Sequence, residues 1–518
     1  MSHSPEYSTN NSPSSLRHRL PVRLRHHWKL LIAAIAVCLA IALAFGTNMV
    51  RPYISSELVS ETVIVNDIEG EVELFDASEH TIEITFDQAE YEEMLSTFRE
   101  DGEKEYIRAD ITIDGTLIED VGLRLKGNST LQSLSGTMEE GQMPEGMELP
   151  KDVELPENTE DTATGGPGGM GGGMTQLSED NPEELPWLIS FDEYEEGRAY
   201  QGMTEIALRP AASGSDVAIN EALALELTAE SGQVTQDYTF SSVTVNGGEN
   251  AARIVVDTPD EQWANALGSG VLYKARADGS LDYVGDDPTD YEDSFKQINA
   301  EGAYDLQPVM TLMKFLNEST DEEFVEELDD YVDTESFAKY LATQEILSNN
   351  DAMDGPGNNY YLWYDTTEKQ FTVLSWDLNM ALSGMIGGGG MKPNTDTGTE
   401  MPEPPEGIEM PGGDMHGGGS GSGILKERFL DNEEFYVMYE QAYAELYEQL
   451  IASGYAEETL DELTTRAAEA GDEGATKVAE SIRASLASIS ETAPEPSAGM
   501  GMKPGSGGRL GEETAEVV

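Results

Sequence analysis

Thr81-Ile82-Glu83-Ile84-Thr85-Phe86 alternates polar and apolar positions, the period of a half-buried strand. Asp87 is placed to cap the helix predicted over QAEYEEMLSTF behind it. Tyr106 to Asp114 and Thr116 to Lys126 alternate again around Asp114-Gly115, a strong hairpin signal. Asp216 to Ser231 has the spacing of an amphipathic helix closed by Gly232, and strands are predicted around Tyr238–Val245 and Ala252–Val256. Beyond Asp305 the pattern turns mostly helical as far as Ser348. It returns to strand at Asn359–Tyr364 and Phe371–Ser375, and residues 426–488 read as a run of helices. The class predicted is α+β, with helices concentrated late.

One apolar run fits none of this. Residues 30–45 read LLIAAIAVCLAIALAF without a charge, and the uncharged residues 46–50 extend the run towards the length of a bilayer span. Arg17, Arg19, Arg23, Arg25 and Lys29 precede it, so the positive-inside bias puts residues 1–29 in the cytoplasm and the rest outside. Residues 30–50 are thus predicted to be a transmembrane signal-anchor, with 51–79 a juxtamembrane strand region. Ala42-Leu43-Ala44 has the form of a signal-peptidase site, so secretion after cleavage stays open. The long basic segment favours a retained single-pass anchor at the cell membrane. The only cysteine, Cys38, lies inside the apolar run, so no intrachain disulfide forms.

Composition narrows the partners. Of 518 residues, 100 are Asp or Glu against 29 Lys or Arg, a formal net charge of -71. Such a surface repels phosphate backbones, which argues against nucleic acid as a partner. It suits divalent cations, basic partner segments or simple solubility. Residues 136–184 and 384–424 are Gly/Met-rich, and the tail at 490–518 has the same style. Segments of this kind bury too little apolar surface to offset chain entropy and are expected to be disordered.

The densest polar constellation runs from Asn349 through Asp351, Asp354 and Asn359 to Tyr364, followed by LSWDLN with Asp377 and Asn379. This reads as a helix end, a carboxylate- and amide-rich loop, a hairpin, and a carboxylate at the end of an apolar strand. Asp and Asn supply the hard oxygens that Mg²⁺ takes. An Asp and an Asn on a loop, with a second Asp one hairpin later, is a phosphoryl-transfer arrangement. A turn in which Asx side chains bond their own backbone explains the composition equally well. Only His80 and His416 lie beyond the N-terminal segment, which argues against a Ser-His-Asp hydrolase. The position of Cys38 removes a cysteine nucleophile outside the membrane.

GLRLKGNST (122–130), FDEY…YQGM…IALRP (191–210), GVLYKA (270–275) and NNDAMDGPGNNYYLWYD…LSWDLNMALSG occur in one order along the chain. In that order they resemble the CotH kinase family, atypical protein kinases named after a spore coat protein. The resemblance implies an atypical protein-kinase-like domain over residues 80–489. It implies transfer of phosphate from ATP, with Mg²⁺ or Mn²⁺, to Ser/Thr of surface or envelope proteins. Carried over position by position, Asp351 is the implied catalytic base, with Asp354 as the second candidate. Asn359, Asp377 and Asn379 are the implied metal shell. For the phosphates the candidates are Arg124, Lys126 and Lys274. Two departures stand out: the stretch 183–190, where relatives carry lysines, has none, and Asp257 stands where relatives often have Glu. A catalytically inactive, kinase-like binding or structural module is therefore the alternative, and the scarcity of ATP outside the cell supports it.

Overall fold

In a computed structural model the described residues are 63–127, 129–134, 177–209, 217–353, 355, 357–382 and 423–494. The predicted membrane anchor, most of both Gly/Met-rich insertions, nearly all of the tail and Asp354 lie outside them. Among the described residues no helix is long and apolar enough to cross a membrane.

Strand β1 (Asn66–Ile68) comes first, followed by β2 (His80–Phe86) and helix α1 (Gln88–Asp101). The cap is the one the sequence predicts, since Asp87 accepts from the Ala89 and Glu90 amides. Next come β3 (Ile107–Ile113) and β4 (Thr116–Leu125), a hairpin over Asp114 and Gly115, both at positive φ. Strands β5 (Trp187–Ser190), β6 (Arg198–Tyr200) and β7 (Glu205–Leu208) lead to helix α2 (Ile219–Glu230), then β8 (Tyr238–Val245) and β9 (Asn250–Asp257). The order β2-β3-β4-β5-β7-β9-β8 closes into a barrel. Closure is made by the parallel pairing of β2 with β8, which sets His80 against Ser241. Inward positions such as Ile82, Ile84, Ile111, Val121, Leu123 and Ile206 form its core.

Helix α3 (Glu261–Ala266) links the barrel to β10 (Gly270–Ala275) and β11 (Phe295–Gln297). Helices α4 (Gln307–Glu318), α5 (Asp321–Glu327) and α6 (Thr334–Ile346) follow, then β12 (Tyr360–Asp365) and β13 (Phe371–Ser375). These strands make a second sheet, β11-β10-β12-β13. One face carries Val271, Tyr273, Tyr360, Leu362 and Val373 into the large helical core. The other packs Leu272, Tyr361, Trp363, Leu374 and Trp376 with Ala264 of α3. Helices α7 (Ile424–Asp431), α8 (Glu433–Leu446), α9 (Tyr455–Glu469) and α10 (Ala475–Leu486) complete the chain. The mixture of helix and strand agrees with the α+β class.

The expectation for residues 177–184 needs correction. Assigned by composition to a disordered insertion, they are instead packed: Leu177 is buried, and 182–184 form a short 3₁₀ turn. Backbone chemistry holds them. The Trp187 indole N–H donates to the Pro182 carbonyl at 2.8 Å, and Tyr91 Oη donates to the Glu179 carbonyl at 2.8 Å. Arg253, 1 % exposed on β9, donates to the carbonyls of Glu183 and Leu185. A polar segment can be ordered when buried donors take its carbonyls.

Candidate functional site

Site residues gather where the open ends of barrel strands meet the second sheet. Lys126 follows β4, and its ammonium donates to Thr258 Oγ1 at 3.3 Å. Lys274 stands on β10 in register with Tyr361 of β12. Strand alternation sends Lys274, Leu272, Tyr361 and Trp376 to one face, so both lysines reach the same indole. The ring centre of Trp376 is 5.7 Å from Lys126 Nζ and 4.7 Å from Lys274 Nζ. Trp376 is held edge-on to Tyr361 at 5.3 Å. This cation–π platform offsets part of the burial penalty on two like charges.

That penalty shows in the acid–base behaviour. Burial lowers Lys126 to about 7, with Glu205 opposing the shift and Lys274 adding to it. Burial lowers Lys274 to about 8, opposed by the charge of Asp377. Glu205 is raised, chiefly by burial against the pull of Lys126. Asp257, where relatives often have Glu, is raised to about 7 by burial and by neighbouring Asp260.

The acidic half comes from the loop and hairpin of residues 351–379. Asp351 organises the loop: its carboxylate accepts from the Gly357 amide and, at 2.9 Å, from Asn359 Nδ2. Burial raises its pKa, with Asp377 adding repulsion and the two hydrogen bonds opposing. A Cβ at Gly357 would lie 2.5 Å from Asp351 Oδ2, so only glycine allows this approach. Asp377 sits at φ 52°, a strained left-handed conformation that turns the chain off β13 at the site. Below it, the Asn379 and Ala381 carbonyls accept from Asn220 Nδ2 of α2 at 2.7 and 3.0 Å.

The residue that ties these halves together escapes sequence reasoning. Arg209, one position past β7, donates from Nη2 to Asp377 Oδ1 and makes a 2.9 Å ion pair through Nε with Glu221 of α2. Burial opposes its charge, but the two carboxylates outweigh that and raise its pKa. Glu221 is itself raised, mainly by burial. The available signals were an apolar strand ending in Arg and a Glu inside the otherwise apolar INEALALEL.

Of the predicted site residues, Lys126, Lys274, Asp351, Asn359 and Asp377 are brought together. Arg124 lies at the edge, its guanidinium 5.1 Å from the Tyr106 ring centre and bonded to the Leu125 carbonyl. Asn379 is anchored through its backbone, and Asp354 lies outside the described residues.

The CotH kinase protein family matches residues 173–487, more than half of the chain. This chain belongs to the CotH kinase family. No curated protein matches it. The family match begins after Lys126, which nevertheless joins the site from the N-terminal part of the barrel.

Membership implies a nucleotide and a divalent metal. Among the described residues no three His, Cys, Asp or Glu side chains gather as a metal cage. Asp377 with the loop amides is a small oxygen donor set, the kind Mg²⁺ uses when substrate phosphates supply the remaining ligands. The residues fit a metal carried in on phosphates and do not fit a stand-alone site. Lys126 and Lys274 would hold the phosphates.

Proposed function

We propose that this CotH family member is a protein kinase that transfers phosphate from ATP to Ser/Thr of surface or envelope proteins. Lys126 and Lys274 hold the phosphates, with Arg124 adding positive charge at the rim. Asp377, aided by Asn359 and Asn379, holds Mg²⁺ or Mn²⁺. Asp351 accepts the hydroxyl proton, with Asp354 as the second candidate in the same loop. One observation carries the reading: Arg209 and Lys274 both act on Asp377, and Lys126 shares the Trp376 ring with Lys274, in a chain with 100 acidic and 29 basic residues. Buried like charges are costly and are kept where an anion will meet them. The N-terminal anchor and outward orientation belong to the same proposal.

Asp377→Ala in the full-length chain should abolish metal-dependent transfer of labelled phosphate while leaving the circular dichroism spectrum intact. Undiminished transfer in a folded variant would refute the assignment. The second reading, an inactive kinase-like module, is favoured by the Arg209–Asp377 ion pair, which occupies the carboxylate the metal requires. It expects no transfer from the wild type.

A further inference from the structure

Arg209 bonds its two carboxylates through different atoms. Nε faces Glu221, whose Oε1 and Oε2 lie at 2.9 and 3.2 Å, whereas Nη2 reaches Asp377 Oδ1. Glu221 is 3 % exposed and rides on α2, a helix packed into the core. The Asp377 side chain is 27 % exposed and belongs to a short turn. The guanidinium therefore has a fixed end and a free end. Rotation about the side chain's outer bonds can release Asp377 while keeping Glu221.

A divalent ion on Asp377 would sit beside this guanidinium and near the Lys274 ammonium, four positive charges against the three carboxylates of Glu221, Asp377 and Asp351. That arrangement is unfavourable at short range in a poorly hydrated site. A triphosphate changes the sign of the balance, because its oxygens can take both the metal and the freed Nη2. We propose that Arg209 and the divalent metal compete for Asp377, and that a polyphosphate relieves the competition by accepting the free end of the guanidinium. Arg209 is then a positioning residue: it guards Asp377 in the empty site and orients phosphate in the filled one. The inference rests on the kinase reading's choice of Asp377 as metal ligand.

Mn²⁺ titration of the full-length chain, followed by the electron paramagnetic resonance signal of free Mn²⁺, tests this without any activity assay. Without nucleotide the wild type should bind Mn²⁺ weakly, and Arg209→Gln should tighten it roughly tenfold, an ordinary coupling between linked sites. Tripolyphosphate should tighten Mn²⁺ binding in the wild type and much less in Arg209→Gln. The gain must vanish in the double variant Arg209→Gln/Asp377→Asn, because Glu221, freed by the substitution, could otherwise supply it. Unchanged or weaker Mn²⁺ binding in Arg209→Gln would overturn the proposal, as would a gain that survives the double substitution. If Arg209→Gln fails to fold, Arg209→Lys keeps a charge for Glu221 without the fork and should show a smaller gain of the same sign. The tripolyphosphate effect in the wild type needs no variant once the Mn²⁺ that tripolyphosphate alone removes from the free signal is subtracted, and its absence would also overturn the proposal. Failure of the kinase reading shows elsewhere: tight Mn²⁺–tripolyphosphate binding without phosphate transfer would leave the competition standing and remove the kinase.

Discussion

The implied base and metal ligands of the site come from one continuous stretch, Asp351 to Asn379, whereas its cations come from three strands far apart in sequence: Lys126 after β4, Arg209 after β7 and Lys274 on β10. The acidic stretch is organised locally. Asp351 is held by Gly357 and Asn359, and Asp377 is set by the backbone turn that ends β13. The cations depend on barrel closure and on the seam between barrel and second sheet. The halves therefore differ in what can break them: a local substitution damages the acidic half, while any loss of barrel packing scatters the cations.

Asp351→Asn strikes the local half and should give the largest effect. The amide cannot accept the substrate proton, so transfer should fall by about 10²- to 10⁴-fold. Metal-dependent ATP binding should persist, as isothermal titration would show. Equal loss of binding and transfer would make Asp351 a loop organiser only.

Arg253→Met strikes the other half from a distance. Arg253 donates to the carbonyls of Arg209, Glu183 and Leu185 and so fixes the backbone that carries Arg209. Unpaired buried carbonyls should lower stability by about 3 kcal/mol or more, read as a reduced urea midpoint. ATP affinity should fall along with it, although Arg253 bonds the backbone of Arg209 and not its guanidinium. Unchanged ATP affinity in the destabilised variant would show that the cations do not depend on the barrel as argued.

Lys126→Met should have the smallest effect, weakening ATP binding by roughly tenfold, an ordinary loss for one charge-assisted contact. Phosphate prefers the ammonium form, and Lys126 and Lys274 sit at about 7 and about 8. Wild-type ATP affinity should therefore fall as pH rises across that window, and the fall should be shallower in Lys126→Met. The same depressed value means that Lys126 disfavours the fold at and below about pH 7, a penalty that fades as pH rises towards the ordinary lysine value of 10.5. An affinity that rises with pH would contradict the assignment of both lysines.

This difference also governs what could be read from sequence. The strands, the Asp87 cap and the Asp114-Gly115 hairpin were legible because each is specified within a few residues. So was the acidic stretch, whose residue types and spacing lie side by side. Arg209 and Glu221 were not, because their meeting requires β7 to lie beside β9 and α2 to cross beneath the turn after β13. Residues 177–184 were misjudged for a related reason: their partners, Tyr91 and Arg253, are distant in sequence. Lys126 and Lys274 were legible only as candidates, since neither strand announces that both reach Trp376.

The melting temperature of the full-length chain with and without ATP and Mg²⁺ or Mn²⁺, compared with Asp377→Ala, tests the central claim most directly. A ligand that binds only the folded state should stabilise it by about 2.7 kcal/mol at a hundredfold excess over its dissociation constant. The two halves, if they form one phosphoryl-transfer site, predict a shift that needs both nucleotide and metal and disappears in the variant. No shift at millimolar nucleotide, or one that Asp377→Ala leaves intact, would contradict that claim.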